Sequence, residues 1–216
     1  MNAPKTPPVH APMNQFPVRD GELLVGGIPL TRLAARVGST PFYAYDRQLL
    51  SERVRELKAA LPAAIKLHYA IKANPMPALV GHMAGLVDGL DVASGGELTV
   101  ALDSGMSPKD ISFAGPGKRI EELRQAVAAG VLINVESPAE LDALAGIAAD
   151  TGWTPRIALR VNPDFELKSS GMRMGGGPKQ FGIDAETIPE VIAHAESQGL
   201  IIEGFHLFAG SQNLQA

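Results

Sequence analysis

A repeated β/α fold, closed as a (β/α)8 barrel of the triosephosphate-isomerase type, is predicted by three features of the sequence. Short apolar runs recur at 67–72, 89–93, 111–114, 132–135, 157–161 and 205–208, with helical patterns between them. The first four runs open about 21 or 22 residues apart, room for one strand and one helix each. Helix-start signals fall between the runs, as in Ser137-Pro138-Ala139-Glu140, where a capping box carries proline at the first helical position. Six such units with no reversal cue favour a closed barrel; an open doubly wound sheet is the alternative that periodicity leaves standing.

Taken in order, residues 1–17 hold Pro4, Pro7, Pro8, Pro12 and Pro17 with no apolar run, and read as a disordered lead rather than a signal peptide. Asp20-Gly21 between two short apolar pieces predicts a hairpin, 28–37 a short helix ended by Gly38, and 41–45 a further strand. Asp46 caps a helix to about residue 61, whose stripe of Leu49, Leu50, Val54, Leu57 and Leu61 faces a core. Gly95-Gly96-Glu97 and Gly117-Lys118 open helices of the repeat, and Thr187-Ile188-Pro189-Glu190 repeats the capping device before a helix that Gly199 stops. The polar, glycine-rich insertion 162–182 sits at a strand's carboxyl end, where long loops serve binding, and Gly175-Gly176-Gly177 within it reads as flexible rather than as a phosphate cradle. A barrel takes roughly 250 residues, so the sequence is expected to be the N-terminal part of a longer protein. Residues 1–216 alone are expected to be inactive and poorly folded, with exposed strand edges.

Composition narrows the class. The chain has 216 residues, 45% of them hydrophobic, and a net charge of −4 spread without blocks, which offers no basic surface to nucleic acid. No run approaches the length of a membrane helix. Cysteine is absent, which excludes a disulfide framework, a thiolate nucleophile and a thiolate-bound metal, and agrees with the cytoplasm.

The chemistry is sought where α/β folds collect it, at the carboxyl ends of the strands. Lys72 stands there just before Asn74-Pro75 closes its run. The other strand ends bring Asp91 and Ser94, Gly115, Glu136, Arg160 and Asn162, and then His206, Phe208 and Ser211. His206 and Phe208 share a face, Arg160 needs a partner because an unpaired buried guanidinium is costly, and Asp91 is expected either to neutralise Arg160 or Lys72 or to touch a ligand. His206 is more readily a satisfied core histidine than a catalyst. A lysine in such a mouth forms a Schiff base with a carbonyl, and two chemistries fit: direct attack on a sugar or keto substrate, or a standing imine to pyridoxal phosphate. The ring of Phe208 favours the second.

These residues lie in words that resemble a known family. YAIKANP (69–75), LDVASGGEL (90–98), FAGPGK (113–118), INVESPAEL (133–141), RVNPD (160–164), QFGID (180–184) and GFHLFAGSQ (204–212) resemble successive blocks of the fold-type III pyridoxal-phosphate decarboxylases, the diaminopimelate, ornithine and arginine decarboxylases, related in fold to alanine racemase. The resemblance implies a cytoplasmic homodimer with shared active sites, each subunit pairing the barrel with a C-terminal β domain. Residues 18–45 would contribute to that second domain and 46–216 would be the incomplete cofactor-binding barrel. It implies Lys72 as the Schiff-base lysine of pyridoxal 5′-phosphate, Asp91 and Glu97 in the polar network beside it, Arg160 under the ring edge and Ser211 on the phosphate; no metal is implied.

One departure stands out. Relatives of the diaminopimelate and ornithine type place histidine three residues before the serine; here that position is Phe208, and the histidine is His206. A phenyl ring still stacks on a pyridine, but carries no proton. This departure and the GMRMGGGPKQFG loop resemble a branch associated with exopolysaccharide and exosortase gene clusters, and decarboxylases of carrier-tethered aminoacyl groups. The expected substrate is therefore an amino acid of the diaminopimelate or ornithine type, free or carrier-bound. A racemase on the same fold and a non-catalytic paralogue that binds cofactor or partners are the alternatives.

Overall fold

Two units make up the chain, residues 1–62 and 63–216. The computed structural model describes residues 13–163, 172–173, 180–208 and 210–211.

The first unit carries an antiparallel sheet of β1 (Val18–Arg19), β2 (Glu22–Val25) and β3 (Ile28–Pro29), then α1 (Leu30–Val37) and α2 (Arg47–Ala60). The Asp20-Gly21 turn forms as expected, and Gly26-Gly27 makes a second one with φ of +58° and +74°, the left-handed values a two-residue hairpin requires. The expected helix 28–37 is shortened, because Ile28 and Pro29 pair with Val25 and Leu24 and the helix begins only at Leu30. The expected strand 41–45 does not form: no described strand lies beside it to complete a ladder. Asp46 caps α2, its Oδ1 accepting the Gln48 N–H at 2.8 Å.

The second unit is the β/α repeat: β4 (His68–Ala70), α3 (Pro77–Ala84), β5 (Gly89–Val92), α4 (Gly95–Asp103), β6 (Ile111–Phe113), α5 (Ile120–Ala129), β7 (Leu132–Val135), α6 (Pro138–Thr151), β8 (Arg156–Asn162), β9 (Met172–Arg173), β10 (Ile183–Asp184), α7 (Ile188–Ser197), β11 (Ile202–Leu207) and β12 (Gly210–Ser211). Strands β4, β5, β6, β7, β8 and β11 lie side by side in chain order, every neighbouring pair parallel. A doubly wound sheet reverses its order at a switch point; this one never does, which is the arrangement of the first six strands of a (β/α)8 barrel.

One face of this sheet holds the core. Leu90, Val92, Ile111, Phe113, Ile133, Val135, Ile157 and Leu159 are at most 2% exposed, as are Leu98, Leu123, Leu141, Leu144 and Ile147 of α4, α5 and α6. Each such side chain stabilises the fold by about 1.5–3 kcal/mol, so the helix-facing layer dominates. The alternate residues face the other way and include the polar His68, Asp91, Ser112, Asn134, Arg160 and His206. In β11 the alternation is complete, with Phe205 and Leu207 exposed and Gly204 and His206 half-buried.

Three local expectations change. Strand β4 is shorter than 67–72: Ile71–Ala73 form a 3-10 turn, closed by Asn74 N–H donating to Ile71 O at 3.0 Å, because burying Ile71 completely turns the chain inward. The helix after β6 begins at Ile120 rather than at Gly117, and Lys118 is free for another task. Thr187 does not cap α7, since the preceding 3-10 turn gives it helical backbone angles and its hydroxyl donates to Asp184 O.

Candidate active site

The candidate residues converge on the carboxyl ends of the parallel strands. Lys72 lies in the 3-10 turn at the end of β4, exposed, and among the described residues its Nζ has no hydrogen-bond or ion-pair partner. In register terms Ala70, two residues earlier, sits beside Asp91 of β5.

Of the two roles expected for Asp91, that of a partner to Arg160 or Lys72 is not found among the described residues. Its Oδ1 accepts from Ser112 Oγ at 2.7 Å and lies 3.1 Å from His68 Nδ1, while Oδ2 has no partner among the described residues. The imidazole lies over Gly89, where an added Cβ would overlap the His68 ring and stand 2.5 Å from the Asp110 carbonyl. Glycine is thus what lets the ring reach Asp91. The bond to Asp91 raises the His68 pKa above its usual 6.5 against the opposing effect of burial. Burial alone would raise the Asp91 carboxyl, but the bonds from His68 and Ser112 outweigh it and hold it below 3.8.

This pair has a pH signature. A raised histidine contributes stability that is complete below its unfolded value and is lost as pH climbs through the folded one; a lowered aspartate contributes stability lost as pH falls through its folded value. Full benefit therefore spans the window between the ordinary values of 3.8 and 6.5. The denaturation-midpoint gap between wild type and His68→Ala, followed from pH 3 to pH 9, is expected to be widest in that window and to close on its alkaline side. A gap flat across the range contradicts the pairing.

Arg160 finds its counter-ion in Glu136, which follows β7. Nη1 donates to Glu136 Oε1 at 3.2 Å, and both side chains are buried, at 11% and 1% exposure. The guanidinium lies over Phe181 at 4.8 Å and Phe208 at 5.9 Å to the ring centroids, so two aromatic faces hold its plane. Glu136 also accepts the Gly115 N–H at 2.6 Å and the Gly182 N–H at 3.1 Å. Behind it Lys118, 1% exposed, donates to Gly115 O (2.7 Å), Asn134 O (2.8 Å) and Glu140 Oε1 (3.1 Å). Burial pushes the Lys118 ammonium down, and the charges of Glu140 and Glu136 oppose it.

His206 is Arg160's register partner across β8 and β11. Contrary to the expectation of a satisfied core histidine, its Nδ1 is buried with no hydrogen-bond partner among the described residues. Burial and the Arg160 charge lower its pKa, so the ring is neutral at pH 7. Glu97 accepts the Ala93 N–H at 2.8 Å while its own N–H donates to Oγ of Ser94, the N-cap of α4. Ser211 pairs through its backbone with Met172, and its side chain lies outside the described residues, as does the Gly175-Gly177 stretch.

The geometry adds His68, Ser112, Lys118 and Glu140 to the expected set. For His68 the signal was present: it shares the two-residue spacing that leads through Ala70 to Lys72. Lys118 and Glu140 each look like ordinary helix-start residues.

The chain resembles known proteins in sequence and in fold. Residues 47–216 match the family described as pyridoxal-dependent decarboxylase, pyridoxal binding domain. The chain is 41% identical over 199 residues to a diaminopimelate decarboxylase of Aquifex aeolicus, covering 91% of this chain and 47% of the relative. It is 37% identical over 187 residues to the L-glutamyl-[BtrI acyl-carrier protein] decarboxylase of Niallia circulans, covering 86% and 44%. The crystal structure of diaminopimelate decarboxylase from M. jannaschii in complex with L-lysine superposes with a TM-score of 0.79 at 28% identity, over 92% of this chain and 48% of that one. The chain thus spans about half the length of the curated relatives it matches. By this match and the consecutive parallel strands that carry it, the chain belongs to the pyridoxal-dependent decarboxylases and contains their pyridoxal-binding domain.

Proposed function

We propose that the whole protein decarboxylates an amino acid with pyridoxal 5′-phosphate held at Lys72. The observation that carries this reading is the amine of Lys72 at the end of β4, without a partner among the described residues, in a chain matched by a pyridoxal-binding domain. The residues present fit the cofactor: the buried, unpartnered His206 Nδ1, the open Oδ2 of Asp91 and the guanidinium of Arg160 offer polar contacts, and the Phe208 ring offers a stacking face. The bound ring supplies an electron sink for the pair released when the α-carboxylate leaves. Lys72 would hold the group through its amine, the Phe208 ring would offer it a stacking face, and Arg160 and His206 would supply polar contacts to it. Asp91, fixed by His68 and Ser112 beside Ala70, would place a negative charge at the strand end that Lys72 follows; Glu97 steadies the turn after β5 through its bond to Ala93. Ser211 contributes to the phosphate site.

In this reading residues 18–45 belong partly to a second β domain, and the protein works as a cytoplasmic homodimer with shared active sites. Its substrate is a diaminopimelate- or ornithine-type amino acid, or one tethered to a carrier protein as in the Niallia circulans relative's name. Phe208 favours the tethered class, because the proton-bearing ring of the diaminopimelate and ornithine type is absent from that position. The test is full-length protein with pyridoxal phosphate and a panel of meso-diaminopimelate, ornithine, arginine and carrier-bound glutamate. Carbon dioxide release from one member is expected; chiral inversion without carbon dioxide overturns the reading in favour of a racemase.

A further inference from the structure

We infer that Glu136 is a positioning residue for Arg160, and that Lys118 and Glu140 are the frame that holds Glu136 in place. The inference rests on the reading above, in which Arg160 meets the cofactor.

Glu136 occupies a place where three structural elements must agree. Its Oε1 takes the Gly115 amide, from the loop after β6, together with Arg160 of β8. Its Oε2 takes the Gly182 amide at the entrance to β10. Gly182 has φ +76°, and a Cβ there would stand 3.0 Å from Arg160 O, so backbone and carboxylate meet closely at this point. The Glu136 main-chain N–H donates in turn to Glu140 Oε2 at 2.8 Å, and Glu140 is held by Lys118. The chain Lys118, Glu140, Glu136, Arg160 alternates in sign and ends at the guanidinium.

Charge compensation alone does not demand this arrangement. The two backbone amides and Arg160 satisfy Glu136, and a direct Lys118 to Glu136 contact would have neutralised it as well. Instead Lys118 is spent on Glu140 and on two carbonyls, which leaves Arg160 as the cation in ion-pair contact with Glu136. The phenyl rings of Phe181 and Phe208 fix the plane of the guanidinium, and they leave it free to rotate within that plane. Glu136 supplies the missing in-plane constraint. It touches no reacting atom and acts through Arg160.

Two readouts on the full-length apoprotein test this. In a double-mutant cycle of Glu136→Gln and Arg160→Gln, Glu136→Gln is expected to weaken pyridoxal phosphate binding about tenfold, as removal of a ligand-orienting partner does. The double variant is expected to bind no more weakly than Arg160→Gln alone. In protein labelled with nitrogen-15 arginine, the Arg160 Nε–H signal, identified by its loss in Arg160→Gln, is expected to shift in Glu136→Gln. Glu140→Gln, which leaves the carboxylate of Glu136 intact, should move the same signal and covers the case in which Glu136→Gln does not fold. Additive binding losses, or an Arg160 signal that neither variant moves, overturns the inference. A wild-type protein that takes up no pyridoxal phosphate defeats the functional reading instead, and the arginine signal then still reports on Glu136.

Discussion

Lys72→Ala in the full-length protein is expected to remove the visible absorption band of bound pyridoxal phosphate and to lower decarboxylation about a thousandfold or more, while the protein stays folded. The two halves of this expectation have separate causes. The activity loss follows because no other amine among the described strand-end residues is open: Lys118 is enclosed by Gly115 O, Asn134 O and Glu140. Stability is spared because Lys72 is exposed and has no partner among the described residues, and surface substitutions of that kind stay within about 0.5 kcal/mol. Lys72→Arg should fail equally, since a guanidinium keeps its proton and cannot attack a carbonyl. Borohydride reduction followed by peptide mass mapping should place the pyridoxyl group on the peptide containing residue 72. A reduced adduct on another peptide, or a visible band that survives in Lys72→Ala, refutes the assignment.

The second large effect is structural and falls on the other lysine of the site. Lys118→Met is expected to destabilise the full-length protein by about 3–5 kcal/mol, the usual result of stripping one partner from a buried ion pair. The substitution keeps most of the side-chain volume, so packing is not the cause. It leaves Glu140 without its cation, and it removes a donor from the carbonyls of Gly115 and Asn134. Adding Glu140→Gln should restore part of the loss, because the neutral amide no longer needs a cation. Denaturant midpoints of the four proteins measure this directly. A Lys118→Met variant as stable as wild type, or a double variant at the additive value, shows that the ammonium is not the keystone described here.

The two lysines also show how far sequence reasoning reaches. The order of strands and helices was legible because the outward residues of β5 to β8 are apolar and the turns between them carry cap and glycine signals, all of them local properties. Lys72 was legible because the Asn74-Pro75 punctuation marks a strand end. What failed was conformation decided by partners distant in sequence. Residues 41–45 have the alternation of a strand but no described neighbour to pair with, and β4 stops early because Ile71 turns inward into the core. Thr187 has the right letter for a cap, yet the turn before it sets the wrong backbone angles.

At the site the same boundary appears. Asp91 was recognisable as a strand-end acid, but its partner, His68, lies 23 residues back, and only the parallel register brings them together. Arg160 was expected to need an acid, and Glu136 was among the strand-end residues, but spacing alone does not join them. Lys118 was the hardest to read: a lysine beside a helix start is ordinarily solvated, and only the folded β6, β7 and α6 termini enclose it.

The close approach at Gly182 bears on how the segment that precedes it can be exchanged. Because Gly182 is tied to Glu136 and pressed against the Arg160 carbonyl, and Asn162 donates to Asp184 at 2.9 Å, both ends of the 163–181 segment are riveted to the barrel independently of what lies between them. A protein engineer could therefore splice a homologous segment from a decarboxylase of different substrate range between Pro163 and Phe181, provided that the pairing of Met172–Arg173 with Gly210–Ser211 is kept. Diversification of this scaffold is free to proceed by cassette exchange at that one address.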